Sequence, residues 1–400
     1  MFSGIKNFLS RHKRKFIVTG VVVGGTVLAV QYAQRKLREF QEAQAREFIE
    51  KTRRTQHFES TERTCNQAIM GVAPTLCEQV LTHLDTETLL EELRKNPENK
   101  LELWKELKIL SFTRLATLVY ACSMLVVSLR VQINILGGYL YKDTITAEAK
   151  VTNAIQQNYL SLSQHFLQNG IVELIKLIES KVRTILNEYD LKQQLTLGDT
   201  EQIFWSIQMA INSDANDPNS AMSSFIMPKE LDNADCQLLA KLYSETLDML
   251  ENEESASLNT YNVSRGFTIV MDSIADFYYE PIKKQNGDIA IPSTSKNALL
   301  NNNSNFNNNN NGSNGSSGTK SDLNAVVASA TSAVPQTVTA NINHVKLPLA
   351  KLIPIINGLA AKSFSCNVKP PSLSTSLVTL YLVSDKVKTF GANVYEVFCQ

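Results

Sequence analysis

Residues 100–129, KLELWKELKILSFTRLATLVYACSMLVVSL, decide the fold. The opening stretch, 100–112, is strongly amphipathic: leucines recur at helical spacing among lysines and glutamates. The stretch that follows, 115–129, is apolar almost throughout and is bounded by Arg114 and Arg130. Fifteen residues are short for a bilayer core about 30 Å thick, and Thr117, Ser123 and Ser128 interrupt the run. Arg130 and Asn134 fall on the helix that continues it. Composition allows a second membrane span or a buried core helix; the length and the polar interruptions favour the core helix of a large bundle. Gly137-Gly138 then mark a break or a close backbone contact.

Helical signals continue on both sides. Residues 35–56 place Leu37, Phe40 and Ala43 at helical spacing, with opposite charges three or four apart. Asp85 with Glu87 can open a helix whose apolar face is Leu89, Leu90 and Leu93 and which Pro97 ends. In 155–187, Leu167, Ile171, Leu174, Ile175 and Ile178 form a stripe of period 3.6. Residues 237–252 and 266–279 are further helices. No run of alternating strands separated by turn signals is present, so the fold class is all-α. Around 285–325 the chain turns to Asn, Ser and Gly, a composition too poor in apolar groups to offset ordering entropy, so a disordered loop is expected there. Helical character returns near Val345 and runs to the end, a tail expected to pack back on the domain.

Phe16 to Ala33, FIVTGVVVGGTVLAVQYA, carries no charge over eighteen residues. As a helix it spans about 27 Å, just enough for a bilayer core. Basic residues flank it: Arg11, Lys13, Arg14 and Lys15 before, Arg35 and Lys36 after. A cleaved signal peptide lacks its small-x-small site here, and a buried core helix is the other alternative; an uncleaved transmembrane anchor fits best. Gly20 and Gly24 lie four apart, a spacing that permits close helix packing and also arises by chance among so many small residues. Lys and Arg are nearly balanced across the span, so charge does not orient it. The domains expected are a tip at 1–15, a span at 16–33 and a large elongated helical domain at 34–400, which must carry the function.

The 400 residues are 43% hydrophobic, and Lys+Arg equals Asp+Glu at 39 each. A chain without a basic field disfavours nucleic acid as a partner. The six cysteines are widely and irregularly spaced, which suits reduced thiols facing a cytosolic compartment. Phosphate-binding glycine loops, zinc-binding histidine pairs, nucleophile elbows and calcium loops are all missing from the sequence. The five histidines are scattered. Cys65 near His57 is a weak nucleophile-and-base pair of the kind chance supplies. Asn262-Val-Ser264 fits a glycosylation sequon, which matters only in a secreted domain. No enzyme activity, cofactor, metal or small-molecule substrate is expected.

The interaction signal is stronger. Leu93, Arg94, Pro97, Lys100 and Trp104 crowd the junction of two helices. An amphipathic aromatic beside a proline turn can line a groove for a partner helix, with Arg94 and Lys100 at its rim. Trp104 packed simply in the core is an equally good reading of the residues.

Several blocks in order carry a resemblance: RHKRK (11–15), HFES (57–60), RTCN (63–66), NKLELWKELKILSFTR (99–114), MLVVSLRVQINILGGYLY (124–141), LPLAKLIPIING (347–358) and FGANVYEVF (390–398). The chain resembles the peroxisomal biogenesis factor 3 (peroxin-3) family over nearly its whole length, apart from the Asn-rich insert and 200–235. The resemblance implies a single-pass anchor in the peroxisomal membrane, contacting its lipid, with the tip in the matrix and the helical domain in the cytosol. It implies docking of peroxin-19, the soluble receptor and chaperone of newly made peroxisomal membrane proteins, through an amphipathic helix. It places the groove on Leu93, Arg94, Pro97, Lys100 and Trp104, with Trp104 central; Arg94 stands where relatives carry Lys, a change of fork geometry. A membrane-anchored receptor of another organelle, such as the mitochondrial outer membrane, is the alternative.

Overall fold

The computed structural model describes residues 13–146, 149–231, 236–285, 342–362, 364–365 and 371–399, with the side chains of 13–24, 280–285 and 342 left aside. Most of the 1–15 tip, including Arg11, and the Asn-rich stretch from 286 lie outside the described residues.

The amphipathic and apolar stretches of 100–129 form one continuous helix, α3 (Lys100–Thr146), preceded by α1 (Lys13–His83) and α2 (Glu87–Arg94). From Ser111 to Gly138 every residue of α3 is buried, on all faces. A helix without a polar face needs cover on every side. The cover comes from α1, α4 (Asn153–Ser161), α5 (Ile171–Leu186), α7 (Met222–Ile226), α8 (Gln237–Leu250), α9 (Glu253–Gln285), α10 (Leu349–Ala361), α11 (Leu373–Leu382) and α12 (Asp385–Cys399). Among the described residues α3 is the one helix long and apolar enough to cross a membrane, and 94% of its most apolar window is buried inside the protein. The core-helix reading therefore holds. The protein is all-α; its only described strands are the two-residue pair Gln194–Leu195 and Leu347–Pro348, which tie the C-terminal region to the α5–α6 connection (α6, Leu197–Asn212).

Arg114 and Arg130, the charges that bound the apolar block, lie inside the helix and are buried. Arg130 is fully enclosed and pairs with Glu62 of α1, while its second nitrogen donates to Asn66 Oδ1 at 2.7 Å. The Gly137-Gly138 pair is no break. A Cβ on Gly137 would meet Thr61 Cγ2 at 2.7 Å, and one on Gly138 would meet Phe398 Cβ at 2.7 Å, so α1 and α12 approach α3 at these positions. The C-terminal tail, α10 to α12, packs back on α3 as expected.

Helix α1 continues without interruption from Lys13 through Pro74 to His83, so the helix of 35–56 does continue out of the 16–33 segment and runs on beyond it. Residues 25–51 are exposed, Val27, Leu28, Val30 and Tyr32 among them, so this portion of the 16–33 segment is not buried in the bundle. Arg35 and Lys36 follow on the same exposed helix, with Lys36 Nζ 2.9 Å from Glu39.

Removing one partner of a buried ion pair leaves the other charge uncompensated. Arg130→Ala should cost about 3–5 kcal/mol of stability, read from the shift in chemical denaturation midpoint at constant slope.

Candidate functional site

The five residues singled out in the sequence all fall on the α2–α3 hairpin. Leu93 and Arg94 end α2, Pro97 sits in the turn, and Lys100 and Trp104 occupy the first turns of α3. Helix α2 is short, eight residues, and could not persist alone. Caps and packing hold it. Asp85 Oδ1 accepts from the Glu87 N–H at 2.9 Å and the Thr88 N–H at 3.3 Å, and its other oxygen takes the Thr88 hydroxyl. That hydroxyl bond, with the two backbone donors and the charge of Arg114, holds the Asp85 carboxyl below its ordinary range. At the other end Asn96 adopts a left-handed conformation, φ 54°, and its N–H donates to Leu93 O at 3.2 Å, closing the helix before Pro97. Lys100 Nζ donates to Asn96 Oδ1 at 3.1 Å, clasping the turn.

Beneath the hairpin lies Arg114. One guanidinium nitrogen donates to Leu84 O at 2.6 Å and Leu81 O at 3.3 Å, capping the C-terminus of α1. The other donates to Asn357 Oδ1 of α10 at 3.2 Å, which also receives the buried Thr86 hydroxyl at 2.9 Å. Burial pushes the Arg114 pKa down from its ordinary value. Lys108 does the same nearer the start of α3: its ammonium donates to Leu186 O at 2.7 Å and Tyr189 O at 2.8 Å, capping α5. Thus α3, one arm of the hairpin, is fixed to α1, α5 and α10 by charge-assisted bonds.

The surface this creates is mixed. Leu93 is buried, and Leu90, Leu103 and Trp104 are half-buried against the core. Trp104 packs on the core and leaves some of itself open. Leu101, three residues before it on the same side of the helix, is 60% exposed. Pro97 is half-buried; Arg94, Lys100 and Lys105 are exposed around this apolar strip. Sequence reasoning missed Leu101, Asn96 and the clamp of Arg114, Thr86 and Asn357. The Asn-Pro dipeptide is a turn signal that could have flagged Asn96; nothing local ties Arg114 to Asn357.

The other candidates dissolve on inspection. Cys65 Sγ lies 3.6 Å from Leu129 O and burial pushes its thiol up to about 12, so it is no nucleophile. His57 Nδ1 contacts the Tyr395 hydroxyl at 2.9 Å instead. Asn262 is buried, which closes the sequon in the folded domain. The five described cysteines, 65, 77, 122, 236 and 399, are free thiols. The described residues contain no cluster of His, Cys, Asp or Glu suited to a metal ion.

Fold and site define a helical protein with a hairpin whose apolar strip is bordered by exposed charges of both signs, Arg94, Lys100 and Lys105 with Glu91, Glu98 and Glu102. A family model named Peroxin-3 matches residues 7–99, 94–153 and 141–395, and the chain belongs to the Peroxin-3 family. It is 35% identical to Peroxisomal biogenesis factor 3 of Mus musculus over 419 residues, covering all of this chain and 98% of that protein. Identity to the Homo sapiens protein of the same name is 35% over 421 residues, with the same coverage. Peroxisome biogenesis protein 3-1 of Arabidopsis thaliana is 28% identical over 214 residues, 48% of this chain and 60% of that one.

Asp85→Ala should cost about 1 kcal/mol by loss of the α2 cap. The carboxyl's folded pKa lies below its unfolded value of about 3.9, so its contribution is complete above that pH and is lost as pH falls through the folded pKa. Wild type and variant should therefore differ in denaturation midpoint at pH 7 and converge in acid.

Proposed function

We propose that the protein acts in peroxisome biogenesis as the peroxisomal-membrane docking receptor for peroxin-19, with the α2–α3 hairpin as the docking surface. The role in biogenesis rests on the family and on the names its relatives carry. The observation that carries the docking reading is the half-open Trp104 beside the exposed Leu101, held on a hairpin that Arg114 and Asn357 fix in place. An amphipathic helix laid across this strip buries an aromatic anchor and a leucine, while Arg94, Lys100 and Lys105 meet acidic positions at its edge.

In this reading Phe16–Ala33 is the anchor, residues 1–15 the matrix tip, and 34–400 the cytosolic domain. The exposed apolar residues at the start of α1 support it. The mechanism is mass action at a surface. The partner carries an apolar membrane-protein segment; docking brings that segment to the bilayer, where burial of its apolar surface drives insertion. The chain contributes binding and position, and no covalent step is needed.

A rigid, prepositioned surface loses little entropy on binding, so most of the docking energy should reside in the anchor residue. Trp104→Ala should weaken binding of peroxin-19 by about 2 kcal/mol or more, roughly thirtyfold, in a calorimetric titration, with the helical circular dichroism of the fold retained. Unchanged affinity would remove the hairpin as the docking surface.

A further inference from the structure

Tyr261 stands half-buried on α9, where α12 packs beside that helix. Two cations gather on its ring. Lys386, in the first turn of α12, holds its ammonium over the ring, 3.9 Å from the centroid. Arg265, one turn further along α9, brings its guanidinium carbon to 5.8 Å from the same centroid, and one of its nitrogens donates to the Tyr261 hydroxyl at 3.0 Å. Because that hydroxyl accepts from arginine, its own hydrogen is left to donate elsewhere. One ring thus fixes two cations from separate helices around a hydroxyl donor.

Neither cation is neutralised: among the described residues, Lys386 and Arg265 stand in no ion pair. The acids nearest in sequence are turned or taken elsewhere. Asp385 lines, with Lys388, the cavity on the α1 side of the α11–α12 turn. Glu254 accepts from Asn393 Nδ2 at 2.9 Å, and Asp272 lies two turns beyond Arg265. Two like charges held close without an anion cost free energy, which an anion between them recovers. A phosphate group carries about −1.5 to −2 charges and three strong acceptor oxygens, which matches two cations and a hydroxyl donor. A single carboxylate would leave one of the two charges uncompensated.

The height of this site on the bundle decides where the phosphate comes from. Ser123 of α3 bonds Asn259 at 2.5 Å and Gly266 abuts Val119, so Tyr261 lies level with the middle of α3. Helix α1 leaves the bundle level with Tyr141, whose ring is 5.4 Å from that of His57. Roughly 20 residues of α3, about 30 Å, separate the two levels, and the exposed stretch of α1 adds about 40 Å. A bilayer around residues 16–33 is out of reach, so the phosphate must arrive on a soluble molecule. We propose that Tyr261, Arg265 and Lys386 form a phosphate-binding site, separate from the hairpin, which takes a phosphorylated serine or threonine on a segment of a partner protein.

The test uses the full chain in phosphatidylcholine nanodiscs and a labelled glycine–serine peptide with one phosphoserine; its twins carry serine or glutamate at that position. Fluorescence anisotropy should show saturable binding of the phosphorylated peptide alone, weakening as salt rises and reversed by inorganic phosphate. Lys386→Ala and Arg265→Ala should each weaken it tenfold or more, with the helical circular dichroism retained. Tyr261→Phe keeps the ring and removes only the hydroxyl, so it should weaken binding by less. Lys388→Ala removes a like charge two residues away, on the side facing α1, and should leave binding unaltered. The proposal is overturned if wild type shows no saturable binding, if the glutamate twin binds equally, if Lys386→Ala keeps full affinity, or if Lys388→Ala loses as much. It is overturned too if inorganic phosphate binds while the phosphoserine peptide does not, or if vesicles containing phosphatidic acid bind the chain through Lys386, since the site would then serve a free anion or a lipid.

Discussion

A helix apolar on every face survives in water only if other chain surrounds it, and whatever polar groups it carries must find their partners in that surrounding chain. Helix α3 imposes both demands along its length. Lys108 and Arg114 are drawn to helix C-termini, where unpaired carbonyls accept them. Ser123 bonds Asn259 of α9 at 2.5 Å, and Tyr120 bonds Asn212 of α6 at 2.9 Å. Arg130 takes Glu62 and Asn66 of α1. Each of these residues therefore selects one neighbour and one register, which apolar packing alone would leave loose. The hairpin is tied into this arrangement because Arg114 is at once a core residue of α3 and the cap on the C-terminus of α1, just ahead of α2.

Much of this organisation was legible in the sequence. Periodicity found α5, α8 and the later turns of α9, and the short length of the 115–129 block with its embedded Thr and Ser marked a core helix rather than a span. Pro97 marked the turn, and the family resemblance marked the five hairpin residues. What stayed hidden was long-range. Glu62 and Arg130 are 68 residues apart, and Arg114 and Asn357 are 243 apart, so no local pattern joins them. Arg114 and Arg130 read as the ends of an apolar run because a charge inside a core is costly unless a partner is known. Helix α6, which carries Trp205, passed unnoticed: its Glu, Gln and Ser dilute the stripe of Ile203, Phe204, Ile207 and Ile211 that the structure buries.

Function follows from how the molecule divides its surface. The beginning of α1 stands clear of the bundle from 25 to 51, about 40 Å of helix, with Leu37, Phe40, Phe48 and Ile49 exposed along it. The bundle itself keeps most of its large apolar side chains inside, with Leu101 of the hairpin and Trp205 of α6 among those left open.

The central claim is that α3 is enclosed by protein and needs no bilayer to protect it. Amide hydrogen exchange of the full chain in detergent micelles, followed by mass spectrometry, tests this most directly. Amides from Leu115 to Gly138 should exchange only through global unfolding, at the slowest rates in the molecule, while those of residues 25–51 exchange far faster. Exchange of the α3 core as fast as that of the exposed stretch of α1 would contradict the account.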